Sequence, residues 1–353
     1  MNAAFWKGKR VFVTGHTGFK GSWLCLWLQR HGAMLAGYAL APPTDPSLFD
    51  QADVGAGMQS TIADIRDLAA LTDAVRAFQP EIVLHLAAQA LVRDSYADPV
   101  GTYATNVLGT VHLLDAVRQT PGVRVVVNVT SDKCYENREW LWGYREDEAM
   151  GGHDPYSSSK GCAELVASAW RRSFFAGPDA PRLASARAGN VIGGGDWARD
   201  RLVPDLLAYM ERGEPVPIRN PAAIRPWQHV LEPLHGYLML AEALWNHGDD
   251  FADGWNFGPD ETSIRPVSYV ADVLVRAWGN GARWEQDRGH HPHEARLLKL
   301  DSSKARARLG WTPRLDLDEA LDWIVNWQRG FLAGRPAREL VERDLQAFEA
   351  VDV

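Results

Sequence analysis

Cysteine is scarce in this chain. Three residues, Cys25, Cys134 and Cys162, are scattered over 353 positions. They form no CxxC pair, so neither a disulfide framework nor a zinc site is signalled, and no metal is expected. No apolar run is long enough to cross a bilayer. The opening "MNAAFWKGKRVFVTG" lacks the ordered charged, apolar and cleavage regions of a secretory signal. Positive charge is not in excess either: 37 Lys and Arg stand against 45 Asp and Glu, a net charge of -8. That balance excludes a general attraction to nucleic acid or to an anionic membrane surface. It leaves room for an anionic small ligand, which a few backbone N–H groups and Arg side chains can bind. Internal repeats and low-complexity tracts are absent. A soluble, cytoplasmic globular protein is expected. Tryptophan, by contrast, is abundant at 15 copies. Most are expected in the core, though such a ring can also stack on a sugar or base.

What is present is alternation. "RVFVTG" (10–15), "MLAGYAL" (34–40), "MQSTIAD" (58–64), "EIVLHLAA" (81–88), "VRVVVNVT" (123–130) and "RLASARAG" (182–189) read as strands. Between them, 20–31, 67–78, 99–118 and 157–175 read as helices; Trp23, Leu24, Trp27 and Leu28 share a face of the first. Strands alternating with helices, without hairpin turns, predict a parallel sheet covered on both faces. The predicted fold class is α/β, with a doubly wound Rossmann domain over 1–190. Residues 191–353 are richer in Gly and Pro, with short helices predicted at 200–212, 233–247, 266–278 and 316–332. They are expected to form a smaller mixed C-terminal substrate domain, some of whose segments return to the first sheet.

"VTGHTGFKGSW" sets Gly15, Gly18 and Gly21 in a G-x-x-G-x-x-G pattern between the first strand and the first helix. Glycine permits the tight turn and lets backbone approach a pyrophosphate, and the helix N-terminus offers unpaired N–H groups. The pattern alone is weak; its place in the first strand-to-helix turn makes it strong. Thr17 and Phe19 lie inside the loop. The usual acid after the second strand is missing from "GYALAPP", and no Lys or Arg lies between His31 and Ile65 to hold a 2′-phosphate; Lys20 is the nearby candidate. NAD is therefore expected over NADP. Asp64, followed by Ile65, ends the third strand, where a carboxylate reaches an adenine amino group or simply forms a turn.

"DPYSSSKG" spaces Tyr156 and Lys160 four residues apart, on one helical face. A nearby ammonium lowers a phenol's pKa, so that it can take a proton from a hydroxyl as hydride leaves the same carbon. Y-x-x-x-K alone says little. Here it follows the glycine loop, "LAAQ" (86–89) and "NVLGT" (106–110). Together, TGxxGxxG, "HLAAQ", Asn106, a Ser after a strand and YxxxK resemble the extended short-chain dehydrogenases/reductases, over nearly the whole chain to "LGWTP" (309–313). Within that superfamily the chain resembles the nucleotide-sugar epimerases and 4,6-dehydratases. "GHTGFKGSWL", "TSDKCYEN", "GGGDW" and "RPWQHVLEPL" look like signatures of the CDP-glucose 4,6-dehydratase family. The resemblance implies NAD bound by Gly15, Thr17, Gly18, Phe19, Gly21, Asp64, Ile65, Leu86, Ala87, Ala88, Asn106, Tyr156 and Lys160.

It also assigns Ser131 to the substrate's 4-hydroxyl, beside Tyr156 and Lys160 as the oxidation machinery. Dehydratases of the dTDP type carry Thr-Asp-Glu where this chain has Ser131-Asp132-Lys133. Oxidation at C4 acidifies the C5 proton. A base must then remove it while an acid protonates the departing 6-hydroxyl. Asp132 would be that acid and Lys133 that base, which requires the neutral amine. The plain alternative is an ion pair at a turn, bonded only to itself. For the substrate, the resemblance points to Asn190 and Arg225, with Arg201 and the His291/His293 pair as weaker candidates; an Arg fork suits a diphosphate. A solvated loop is the other reading of the histidines. Trp197 and Trp227 either line the pocket or pack in the core. The expected partner is CDP-glucose, with no nucleic acid and no membrane, in a homodimer or homotetramer formed through helices 99–118 and 157–175. The competing functions are a nucleotide-sugar 4-epimerase, a 4,6-dehydratase for another nucleotide sugar, and a non-catalytic NAD-binding module.

Overall fold

The computed structural model describes residues 1–287, Gly289 and 295–351. Its centre is a seven-stranded sheet. The strands are β1 (Arg10–Thr14), β2 (Met34–Ala39), β3 (Gln59–Ile62), β4 (Ile82–His85), β5 (Val125–Val129), β6 (Arg182–Ala188) and β7 (Gly254–Phe257). All pairings are parallel, in the order β7-β6-β5-β4-β1-β2-β3. The two central strands β4 and β5 are buried from end to end, and β1, β2 and β6 are buried at every position but the first. That is why they read as apolar runs rather than as alternating ones.

The helices that matter here are α1 (Phe19–Arg30), α2 (Leu68–Phe78), α3 (Gly109–Arg118), α4 (Pro155–Ser173), α5 (Leu202–Glu211), α6 (Leu231–His247), α7 (Val267–Trp278), α8 (Leu317–Leu332) and α9 (Ala337–Glu349). Local chemistry fixes their starts. Asp67 accepts from Ala70 N and caps α2, and Asp154 accepts from Ser157 N with Pro155 in the first turn of α4. The run predicted as one helix over 99–118 is a helix at Pro99–Tyr103, a π turn at Ala104–Leu108, then α3. π turns of this kind favour functional positions, and Asn106 lies in this one.

The second half of the chain returns to the first. β7 extends the sheet beyond β6, and α6 packs on β5 and β6. The helix α9, beyond the predicted elements, buries Leu340, Val341, Leu345 and Phe348 and packs against α1. Trp6, Trp23, Trp27, Trp255, Trp311 and Trp327 are fully buried, so much of the tryptophan is core. A three-stranded sheet (Asn190–Ile192, Ile224–His229, Ile264–Pro266) and a two-stranded one (Val216–Ile218, Trp284–Gln286) support the far side of the cleft. Among the described residues, no helix is long and apolar enough to cross a membrane.

The sheet order reverses between β1 and β4. Connections leave those two strands in opposite directions, opening a crevice at their carboxyl ends. Gly15 follows β1 there and Leu86 follows β4.

Candidate active site

The glycine loop is shaped by close approach. Gly15 has φ 76°, and a Cβ on it would meet Ala87 N at 2.7 Å; one on Gly21 would meet Gly15 O at 2.1 Å. Neither position takes a side chain without moving backbone. Gly18 is the N-cap of α1 and supplies no side-chain cap, which leaves the first N–H groups of a twelve-residue helix open toward the crevice. Thr17 Oγ1 donates to Leu40 O at 2.8 Å and ties the loop to the end of β2, while Phe19 opens α1 half-buried. On the other wall, Leu86 N and Ala87 N both donate to Thr14 Oγ1 at 3.2 Å, and Ala88 continues that wall. These features fit a dinucleotide: a cradle with no Cβ, an uncapped helix N-terminus, and a second wall tied to Thr14 at the end of β1.

Other expected cofactor residues lie around the same crevice. Asp64 holds Arg66 through both carboxylate oxygens, and this pair keeps the carboxyl below its ordinary range. Ile65 beside it is buried. Asn106 uses its whole amide internally: Oδ1 accepts from Gln89 N at 2.8 Å, and Nδ2 donates to Gln89 O and Ser159 Oγ at 3.0 and 2.8 Å. It braces the loop after β4 against α4. Lys20 does not turn toward the adenosine side. Its Nζ lies 5.9 Å from the Tyr237 ring centroid, and burial, with Arg201 and Lys160 nearby, drops it to about 7 against the opposing Asp132 charge.

At the end of β5 the chain enters a short 3-10 turn, Asp132–Cys134, capped by Ser131. The Ser131 hydroxyl accepts from Lys133 N at 3.2 Å and donates to Asp132 Oδ1 at 2.9 Å. Oδ2 of Asp132 is buried with no partner. The carboxyl is only 2% exposed, and burial raises its pKa against the opposing charges of Lys133, Arg225 and Lys20. No ion pair joins Asp132 to Lys133 among the described residues. Lys133 instead extends over Tyr156, its Nζ 5.9 Å from the ring centroid.

Tyr156 and Lys160 rise from the first turns of α4, both buried. Burial pushes the Tyr156 phenol up to about 12, against the neighbouring Ser131 hydroxyl, which pulls it down. Lys160 drops to about 8 through burial, with Glu164 opposing, and its Nζ donates to Val129 O at 3.4 Å. Ser131, Asp132, Lys133, Tyr156 and Lys160 thus converge at the mouth of the crevice.

From the C-terminal half, Asn190 and Arg225 sit on paired strands, where Asn190 registers with Trp227. Arg225 is 9% exposed and its charge reaches Asp132. Arg201 pairs with Asp196 at 3.0 Å and its charge reaches Tyr156. His291 and His293 lie outside the described residues. Trp227 packs in a buried cluster with its Nε1 donating to Arg265 O, and Trp197 lies against Trp327 and Phe331, so both belong to packing.

Sequence reasoning missed Tyr237, Glu164 and Arg187. Tyr237 is fully buried on α6, its hydroxyl has no partner, and it feels the charges of Tyr156 and Asp132. Its helix is ordinary in sequence and carries no signal. Arg187 had one: a charge in the middle of a buried strand, which needs a counter-charge.

A doubly wound sheet, a glycine cradle at its switch point and a Ser131/Tyr156/Lys160 centre define an extended short-chain dehydrogenase/reductase. The comparisons agree and go further. The family model described as GDP-mannose 4,6-dehydratase matches residues 12–323. A CDP-glucose 4,6-dehydratase of Salmonella typhimurium is 56% identical over 348 residues, 98% of this chain and 97% of that protein. Among solved structures, a Thermus thermophilus UDP-glucose 4-epimerase in complex with NAD is 26% identical with TM-score 0.77, covering 91% of this chain and 99% of that one. The fold is also that of a Streptomyces venezuelae dTDP-glucose 4,6-dehydratase, at TM-score 0.77 and 23% identity, covering 92% of this chain and 98% of that one. The chain belongs to the GDP-mannose 4,6-dehydratase family, and the expected likeness to CDP-glucose 4,6-dehydratase is borne out.

Proposed function

We propose that this chain is an NAD-dependent lyase that converts CDP-D-glucose to CDP-4-dehydro-6-deoxy-D-glucose. The observation that carries the reading is the Asp132 carboxyl: buried, raised in pKa, unpaired at Oδ2 and set beside an oxidation centre. A surface ion pair would have neither the burial nor the free oxygen. The CDP moiety rests on the likeness to the Salmonella typhimurium relative.

The glycine loop from Gly15 to Gly21, the Leu86–Ala88 wall and the Asp64–Ile65 corner would hold NAD, which would supply a reversible hydride acceptor for the oxidation at C4 and the reduction at C6. Tyr156 takes the proton of the 4-hydroxyl, which Ser131 orients. Its high pKa in the bare site makes the Lys160 ammonium necessary, and a lysine at about 8 is still charged at neutral pH. Lys133 takes the proton from C5. Asp132 gives its proton to the departing 6-hydroxyl, and water leaves. Lys133 then returns a proton to C5 as C6 is reduced. Arg225, Arg201 and Asn190 face the sugar and diphosphate from the opposite wall, where Arg forks suit phosphate oxygens.

The reading is tested by incubating the protein with CDP-, dTDP-, UDP- and GDP-glucose and weighing the products. Loss of one water from the CDP sugar is expected. An isomer of unchanged mass would mark an epimerase.

A further inference from the structure

The turn that carries Asp132 and Lys133 is tied at both ends to one buried ion pair. Just before it, the Thr130 hydroxyl donates to Glu164 Oε1. Just after it, Arg187 Nη1 donates to the Tyr135 hydroxyl at 2.6 Å, and Tyr135 donates onward to Asn256 Oδ1 at 2.7 Å. Glu164 and Arg187 meet as a fork, Nε to Oε1 and Nη2 to Oε2, both at 2.9 Å. Their side chains are 2% and 4% exposed, the most deeply buried ion pair among the described residues.

Such a pair is weak evidence for stability, because desolvation consumes most of the Coulomb gain. A bidentate fork does fix direction. Glu164 also stands one helical turn beyond Lys160 on α4, and its charge opposes the fall of the Lys160 pKa. The same carboxylate therefore meets the helix that bears Tyr156 and Lys160 and the turn that bears the acid and base.

We propose that Glu164, locked by Arg187, is a positioning residue that sets the Ser131–Cys134 turn in register with α4, so that elimination acts on the sugar that oxidation has just prepared. Neither Glu164 nor Arg187 touches substrate in this account. The proposal rests on the dehydratase reading above.

The two arms can be cut separately while the ion pair stays intact. Tyr135→Phe removes the link to Arg187 and Asn256; Thr130→Val removes the link to Glu164; Thr130→Ser keeps the hydroxyl. Both rates are read after rapid mixing of holoenzyme with CDP-glucose, as reduced-cofactor absorbance and as loss of water by quenched mass spectrometry. Tyr135→Phe and Thr130→Val are expected to form reduced cofactor within about threefold of the wild-type rate and to lose water roughly 10- to 100-fold more slowly, since small misplacements cost that much. Reduced cofactor then accumulates on the enzyme, and Thr130→Ser behaves as wild type. Equal loss of both rates, or no change in either, overturns the proposal. A wild-type protein that removes no water from any nucleotide hexose overturns the dehydratase reading itself, a different result from variants that dehydrate normally.

Discussion

Replacing Asp132 with Asn changes one proton and almost nothing else. The amide oxygen of Asn still accepts the Ser131 hydroxyl where Oδ1 does now, at 2.9 Å. The amide nitrogen takes the place of Oδ2, a buried atom that already lacks a partner. Because burial favours the uncharged carboxyl, a neutral amide adds no new charge to the fold. The variant should fold and bind NAD as before. It should still oxidise C4, which relies on Ser131, Tyr156 and Lys160. What it loses is the proton for the departing 6-hydroxyl, and a positioned general acid contributes about 10²–10⁴-fold, or roughly 3–5 kcal/mol of barrier. Stopped-flow absorbance of reduced cofactor, paired with mass spectrometry of the quenched sugar, separates the two steps. A rapid build-up of reduced cofactor with water loss slowed by at least about a hundredfold is expected. Dehydration at the wild-type rate would refute the assignment of Asp132.

The pH dependence of oxidation follows from Lys160. Its folded pKa is lowered to about 8, so its charge is lost as pH rises through that value, and with it the support for the Tyr156 phenolate. The single-turnover rate of reduced-cofactor formation should fall above about pH 8, and Lys160→Met should be slow with that limb absent. Glu232 offers a stability test away from the site. Its Oε1 accepts from Arg314 N and Leu315 N at 2.9 and 2.8 Å, Oε2 is buried without a partner, and burial raises its pKa from 4.5 to about 7. The folded state therefore holds this proton more tightly, a contribution complete below pH 4.5 and lost as pH rises through about 7. Glu232→Gln should raise Tm at pH 8.5 by the equivalent of about 2–3 kcal/mol and leave it nearly unchanged at pH 4.5. Val100, Tyr103, Leu108 and Leu165 are exposed on the two long helical segments. We expect the homodimer or homotetramer to assemble through that face, and Leu165→Asp should lower the mass of the assembly in analytical ultracentrifugation.

The chemistry legible in the sequence was the chemistry fixed by local spacing. Gly15, Gly18 and Gly21 mark a turn whose backbone crowding allows little else, and Tyr156 and Lys160 share a face because a helix repeats every 3.6 residues. β1, β4 and β5 were readable because a parallel sheet buries both faces and leaves continuous apolar runs, whereas the edge strand β3 is exposed at every position and gives only a weak pattern. Tertiary pairings were not readable. Nothing in "GWNF" says that β7 lies beside β6, since the whole stretch from Gly189 to Asp253 separates the two. Glu164 looked like one more helical charge until Arg187, twenty-three residues on, met it inside the protein. The unlike pair at Asp132 and Lys133 was visible from the start. That they point to different neighbours, Ser131 and the Tyr156 ring, needed side-chain directions that sequence does not encode.

The central claim is that one pocket oxidises C4, removes water and returns the same hydride to C6. CDP-glucose carrying deuterium at C4 tests it most directly. The account predicts a product lighter by one water with the deuterium at C6 of the same molecule, and no label crossing between molecules in a mixture of labelled and unlabelled sugar. Deuterium retained at C4, or lost to the medium while water is still eliminated, would contradict it.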